Sequence, residues 1–100
     1  MYESKLRSDE MDRLFEAVLT MNTVEECYMF FEDLCTISEL VSISHRFQVA
    51  ELLRDKHTCQ DISHSTGAST ATISRVNRCL GYGTGGYKMV LDRLNTKENE

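Results

Sequence analysis

Proline is absent from this sequence, and four of its five glycines lie together in GYGTGG, residues 81–86. Most of the chain is therefore free of the residues that interrupt helices. Long apolar runs are also absent, since none approaches the roughly 20 residues that a membrane-spanning helix needs. The charged N-terminus is unlike a signal peptide. We therefore expect a cytoplasmic protein that does not enter a membrane.

The four cysteines form no C-x-x-C pair, the spacing typical of zinc and redox sites. Cys59 and Cys79 could be combined with His57 and His64 as zinc ligands, because imidazole and thiolate both bind zinc. That spacing matches no standard pattern, and both cysteines fall on predicted apolar stripes of helices. We expect reduced, partly buried thiols, Cys27 and Cys35 included, and no metal site.

Helix start signals recur along the chain in the form [ST]-x-x-[ED], in which a hydroxyl caps a free backbone N–H and an acid follows in the first turn. The matches are Thr23 with Glu26, Thr36 with Glu39, and Thr58 with Asp61. Apolar residues repeat at helical spacing over 11–19, 24–34, 43–53 and 87–94, and no segment alternates with the period of a strand. The sequence predicts an all-α fold of about six helices.

Charge is distributed unevenly along the chain. Residues 1–50 carry 4 basic and 10 acidic side chains, whereas residues 51–100 carry 7 and 6. From Ile62 to Leu91 there is no carboxylate, although the whole protein has a net charge of −5. An acidic protein therefore keeps one window free of negative charge, which favours contact with nucleic acid in that window.

Within this window, residues 61–75 (DISHSTGASTATISR) are typical of helix except at one glycine. Gly67 can adopt the positive φ that turns the chain sharply, and Ser69 can cap a second helix. The apolar stripe of that helix has spacings of three and four and consists of Ile73, Val76 and Leu80. This is the layout of a helix-turn-helix, whose second helix lies in the DNA major groove.

The side chains left on the outer face of this second helix suit DNA. Small and hydroxyl-bearing residues let the helix approach the bases, and an arginine can bond to both acceptors of guanine. These outward residues are Thr70, Ala71, Thr72, Ser74, Arg75 and Arg78. We expect residues 70–74 to supply base readout, and Arg75, Arg78 and Lys88 to attract phosphates.

The segment ELLRDKHTCQDISHSTGASTATISRVNRCL, residues 51–80, resembles the core of the Trp repressor superfamily. With the GTGGY that follows, it is similar to Trp-repressor-like proteins of the YerC/YecD type, and the likeness covers residues 8–95. The resemblance implies an intertwined all-helical homodimer that binds operator DNA as a transcriptional regulator. Matched to the family's motif, the DNA-contacting positions are Gln60, Ser69, Thr70, Ala71, Thr72 and Ser74.

The same resemblance predicts how the domain is divided. Residues 1–100 would be a single Trp-repressor-like DNA-binding domain, with the N-terminal helices and dimer region at 8–56. The helix-turn-helix would occupy 58–80 and the C-terminal helix 86–96.

An effector site is also implied by the family. In Trp repressor the indole lies between two arginines, and a glycine beside the first leaves room for the ligand. Arg75 occupies the first position, His45 falls at the second with Arg46 beside it, and Val76 replaces the glycine. Because the branched side chain of Val76 would fill that space, we predict that L-tryptophan is not the corepressor. We expect no other cofactor, and the sequence names no replacement effector.

Two other motifs have simpler explanations than catalysis or nucleotide binding. GYGTGG satisfies G-x-G-x-x-G, but it follows a helix rather than a strand, so we interpret it as a flexible hinge. Asp, Ser and His occur together at 61–65, without sign of a strained nucleophile or an oxyanion site. We interpret Asp61 as part of a helix cap and His64 as a surface residue, and we predict no enzyme.

The apolar stretch 28–31 is either a dimer seam, which we prefer, or an ordinary core. Two classes of function remain open at this point. One is a dimeric DNA-binding repressor. The other is a helical protein-interaction module that keeps the fold but docks a protein through its acidic, aromatic-rich N-terminal half.

Overall fold

The structure is a computed structural model that describes residues 2–99. Over that range it contains six helices and no strand: α1 (Asp9–Val18), α2 (Val24–Leu34), α3 (Ile37–Arg54), α4 (Cys59–Thr66), α5 (Thr70–Tyr82) and α6 (Gly86–Glu98). The predicted all-α fold of about six helices is confirmed. No helix in this described range is both long and apolar enough to cross a bilayer.

The starts of α2, α4 and α5 follow the predicted caps. The Thr23 hydroxyl accepts a hydrogen bond from the Glu26 amide at 3.1 Å, and the Glu26 carboxylate accepts one from the Asn22 amide at 2.8 Å. Thr58 and Ser69 cap α4 and α5 in the same way, each accepting from the amide three residues later, at 3.1 and 3.2 Å. Satisfying these otherwise free N–H groups fixes where each helix begins.

The chain divides into two compact units, one ending at Ile37 and the other beginning at Ser38. In the first, no side chain among residues 2–37 is fully buried. The Phe30 and Phe31 rings meet edge to face at 5.4 Å and are half-buried. Around them large apolar side chains stay exposed, including Leu19 at 82% and Met29 at 70%. This unit lacks a closed core of its own.

The second unit has a closed core to which α3, α4, α5 and α6 all contribute. Its buried residues are Val49, Ala50, Ile62, Ile73, Val76 and Leu91. Half-buried apolar side chains pack around them, namely Phe47, Leu52, Leu53, Ala68, Leu80 and Tyr87. Each fully buried apolar side chain contributes roughly 1.5–3 kcal/mol. The predicted stripe of α5 therefore faces this core, and the core holds α4 and α5 in a fixed relation.

The prediction of partly buried cysteines is wrong for three of the four. Cys27, Cys59 and Cys79 are exposed and only Cys35 is half-buried; all four carry free thiols. The buried stripe of α5 runs from Val76 to Leu80, four residues later, and does not include Cys79. A helical step of 100° per residue separates such neighbours onto different faces.

The glycine-rich segment forms a tight turn between α5 and α6. The Gly83 amide ends α5 by donating to the Cys79 carbonyl oxygen at 2.9 Å, and Gly85 has a φ of +90°. A Cβ at Gly83 would lie 2.4 Å from that same oxygen. These two positions therefore require glycine for the turn itself, whereas the predicted flexibility of the hinge stays a prediction.

Candidate nucleic-acid interface

The turn between α4 and α5 is built as the sequence predicts. Gly67 has a φ of +74°, and its amide donates to the Ser63 carbonyl oxygen at 2.9 Å. The Thr66 hydroxyl donates to the Ile62 carbonyl oxygen at 2.6 Å and accepts from the Ala68 amide at 3.0 Å. The turn is thus closed by local side-chain bonds as well as by the glycine.

α4 and α5 pack against each other, with Ile62 and Ile73 fully buried in the same cluster. The opposite side of α5 is open. The predicted DNA-binding side chains that are exposed are Gln60, Ser69, Thr70, Ala71, Ser74, Arg75, Arg78 and Lys88. The structure therefore gathers most of the predicted reading face on the start of α5, with Gln60 near the start of α4.

Thr72 departs from the prediction that it faces outward. It is half-buried, and its hydroxyl accepts a hydrogen bond from the Ser69 hydroxyl at 3.1 Å. Its backbone amide is the one that Ser69 caps. Thr72 thus completes the capping arrangement at the start of α5, and its side chain turns toward the cap rather than straight out.

The basic side chains of this surface are of two kinds. Arg75 and Arg78 form no ion pair with any residue in 2–99. Lys88 is paired, because its ammonium lies 2.8 Å from the Asp92 carboxylate. That carboxylate also accepts from the Arg54 guanidinium.

The two cations hold the pKa of Asp92 below its ordinary value, the Lys88 hydrogen bond contributing most and the Arg54 hydrogen bond next. Lys88 is therefore paired with Asp92, the first carboxylate after the carboxylate-free window, residues 62–91. Sequence reasoning missed this arrangement. The i,i+4 spacing from Lys88 to Asp92 was a usable signal, whereas Arg54 lies 38 residues from Asp92 in the chain.

A pocket of about 550 Å³ opens beside the start of α5. Its lining consists of Ser42, His45, Arg46, Gly67, Ala68, Ser69, Thr72 and Arg75. Three of the four predicted effector residues, His45, Arg46 and Arg75, thus surround one cavity.

Val76 does not join them, contrary to the expectation that its side chain would fill the ligand space. It is 1% exposed and packs in the core with Ile73. One helical step beyond Arg75 turns the side chain by 100°, away from the cavity.

The residues of the metal and triad alternatives can be located in the structure. No three His, Cys, Asp or Glu side chains among residues 2–99 come together in a way that could hold a metal ion. The backbone amide of Asp61 is part of the α4 cap, donating to Thr58, and the side chains of Asp61 and His64 are exposed. Both have the positions predicted for a cap residue and a surface histidine.

Comparison with known proteins agrees with this architecture. The family model described as Trp repressor protein matches residues 9–95. YerC of Bacillus subtilis (strain 168) is 52% identical over 100 residues, which cover all of this chain and 96% of that protein.

Two solved structures are similar in both sequence and fold. One is the crystal structure of a candidate Trp repressor from Staphylococcus aureus, with a TM-score of 0.88, 52% identity and 91% of each chain covered. The other is a TrpR-like protein from Eubacterium eligens ATCC 27750, with a TM-score of 0.88 and 53% identity, covering 91% of this chain and 94% of that one.

Proteins of this family are DNA-binding regulators and not enzymes. The matches in sequence and in fold extend over nearly the whole chain, and both include the helix-turn-helix. This chain therefore belongs to the Trp repressor family, as a Trp-repressor-like protein of the YerC type.

Proposed function

We propose that this protein is a homodimeric, sequence-specific DNA-binding regulator that represses transcription. The observation that carries the proposal is the open face of α5, where small side chains and two unpaired arginines project and no carboxylate is present. The core beneath α5 holds this face rigidly against α4. A rigid helix with small residues at its start is what entry into a major groove requires.

Each part of this face has a distinct role in the proposal. Thr70, Ala71 and Ser74 approach base edges, where methyl groups can contact thymine and hydroxyls can hydrogen-bond. Arg75 and Arg78 attract phosphates or bond to guanine. The free N–H groups at the start of α4, near Gln60, add phosphate contacts without a charged side chain. Lys88 contributes less, because Asp92 already compensates its charge.

The homodimer accounts for the apolar surface of residues 2–37. Exposed aromatic and aliphatic side chains in this segment, such as Tyr28 and Met29, exceed what a monomer normally leaves in water. To read two half-sites, such a two-fold dimer would need its two copies of α5 about 34 Å apart, one turn of DNA. The operator would then be a palindrome.

Sedimentation equilibrium tests the dimer directly. We expect a mass of twice the 11.5 kDa chain, reduced toward the monomer by Met29→Glu, since a charge cannot be buried in an apolar seam at low cost. The matched control is Ser4→Glu, outside the helices. A monomeric wild-type protein would contradict the dimer and favour the alternative, in which this surface docks another protein.

DNA binding is tested by fluorescence anisotropy on a pool of random 30-base-pair duplexes at several salt concentrations. Phosphate contacts release counterions, so log K should fall linearly with log salt, by about 0.9 for each contact. Arg75→Ala should weaken retention at low salt, and Arg93→Ala, which removes the same charge from α6, should not. Retention that is unchanged in Arg75→Ala would remove the main support for the proposal.

The effector is a separate part of the proposal, and we propose that L-tryptophan is not the corepressor. The support is His45, which lines the cavity at a position where the family resemblance expects arginine. Calorimetry should give no saturable heat with L-tryptophan. Saturable binding at micromolar concentration would refute this part.

The proposed role on the chromosome also implies a cytoplasmic location, since the relatives compared above are bacterial.

A further inference from the structure

The cavity beside α5 brings three basic side chains together without a counter-ion. His45, Arg46 and Arg75 all line it, and no carboxylate is among its lining residues. Within the described range 2–99, the side chains of all three lack a hydrogen-bond or ion-pair partner. Elsewhere in the same unit, Arg54 and Lys88 both pair with the Asp92 carboxylate. The cavity is therefore a region of uncompensated positive charge.

Such a region favours an anion for a simple electrostatic reason. Two guanidinium groups that face one cavity repel each other, and a bound anion replaces that repulsion with charge-assisted hydrogen bonds. Guanidinium groups match phosphate oxygens in geometry and can bind two of them at once. Hydroxyl groups on the lining, from Ser42 and Thr72, add neutral donors, whereas the Ser69 hydroxyl already donates to Thr72.

The volume and polarity of the cavity indicate what kind of molecule could carry the bound anionic group. A volume of about 550 Å³ lies in the range of pockets that hold small organic molecules. Most lining residues carry polar side chains, and Ala68 is the one wholly apolar side chain among them, so an apolar ring would have little to pack against apart from the stems of the arginines. A hydroxylated body that carries a phosphate fits this lining better.

We propose that this cavity binds a small phosphomonoester and that the ligand weakens DNA binding. The second part rests on the proposed function. Arg75 belongs both to the cavity and to the proposed DNA-reading face, so ligand and operator compete for its guanidinium, and Ser69 and Thr72 of the lining lie at the start of the same helix. A phosphomonoester also brings a charge of about −1.5 to −2, placed within a Debye length of the incoming DNA phosphates. The ligand therefore acts as an inducer.

The binding step is tested without DNA, by calorimetry at constant ionic strength with ribose 5-phosphate, inorganic phosphate and ribose. We expect saturable binding of ribose 5-phosphate, weaker binding of inorganic phosphate and none of ribose. Arg46→Gln should weaken ribose 5-phosphate about tenfold or more, the loss expected when a charged hydrogen-bond partner is removed. Arg93→Gln, which removes an arginine outside the cavity, is the matched control and should bind as wild type does.

The regulatory step is tested by repeating the DNA titration with saturating ribose 5-phosphate. The expected result is an affinity at least tenfold lower on wild-type protein, with a much smaller change on Arg46→Gln. If inorganic phosphate binds as tightly as ribose 5-phosphate, the sugar contributes nothing to affinity. That result would overturn the proposal of an organic phosphomonoester and leave free phosphate as the ligand.

The outcomes separate this inference from the proposed function. DNA binding without saturable binding of either phosphate probe would overturn the inference and leave the regulator intact. Binding of ribose 5-phosphate by a protein that never retains DNA would keep the cavity's ligand class but overturn its regulatory role and the proposed function. A ligand that strengthens DNA binding would overturn the inducer role.

Discussion

Gly83→Ala should destabilise the protein, because the end of α5 leaves no room for a side chain at that position. A Cβ there would lie 2.4 Å from the Cys79 carbonyl oxygen and 3.1 Å from the carbon that carries it. Both atoms are backbone, so relief requires the last turn of α5 to open and the Gly83 amide bond to that oxygen to lengthen. Overpacking of this kind costs about 1–3 kcal/mol.

Gly81→Ala is the matched control for this prediction. It makes the same chemical change two residues earlier, inside α5, where an added Cβ meets nothing within 4 Å. Alanine is favoured over glycine in a helix by up to about 1 kcal/mol, so this variant should be more stable than wild type.

Thermal unfolding followed by circular dichroism, at one chain concentration for all variants, measures both effects. For a domain of this size 1 kcal/mol corresponds to roughly 4–8 °C. The midpoint should therefore fall by on the order of 10 °C in Gly83→Ala and rise by a few degrees in Gly81→Ala. Equal shifts in the two variants would refute the steric argument.

Three further predictions concern the core and the charges. Ile62→Ala should lower the free energy of unfolding by about 2–5 kcal/mol in urea titration, because it opens a cavity in the core; a loss below 1 kcal/mol would contradict that packing. Asp92→Asn should be less stable than wild type at neutral pH, and the difference should vanish in acid. The pKa of the Asp92 carboxyl is lower in the folded protein than its ordinary value of 3.8. Pairing with Arg54 and Lys88 therefore stabilises the fold above pH 3.8, and this stabilisation is lost as the pH falls through the folded pKa. A stability difference between the variant and wild type that persists in acid would contradict this. In DNA titrations Arg78→Ala should reduce the salt slope by about 1, and Lys88→Gln by less; equal reductions would show that Asp92 does not compensate Lys88.

Local signals in the sequence were sufficient to predict the helix-turn-helix. The caps at Thr58 and Ser69 and the turn at Gly67 depend on bonds between residues three or four apart, or on the φ of a single residue. Such features are determined within one helical turn. The same holds for the buried stripe of α5, whose spacing is visible in the sequence.

Features that depend on distant residues were not predictable in this way. The bond from Arg54 to Asp92 joins α3 to α6 and needs the packed fold to bring the two together. The direction of Thr72 was also misjudged, since an error of one residue turns a helical side chain by 100°, and Val76 follows its predicted place in the buried stripe rather than its predicted place beside the ligand. Val76 packs in the core, and Thr72 turns toward the cap and the cavity.

The residues of the candidate effector cavity were predicted from the sequence, whereas its charge balance was not. Family resemblance selected His45, Arg46 and Arg75, and the structure arranges all three around one cavity. What the sequence could not give is their lack of carboxylate partners, because that depends on every side chain packed nearby. This absence of compensating charge is the basis for expecting an anionic ligand there.

Selection of bound sequences from a random duplex library, at two salt concentrations, tests the central claim most directly. Ala71→Glu serves as the disrupted control, because it places a carboxylate on the exposed start of α5. The account predicts a palindrome whose half-sites are one DNA turn apart, about 34 Å, with no enrichment by the variant. No enriched sequence at either salt concentration, with phosphate ligands removed by dialysis, would contradict the claim that this protein reads DNA.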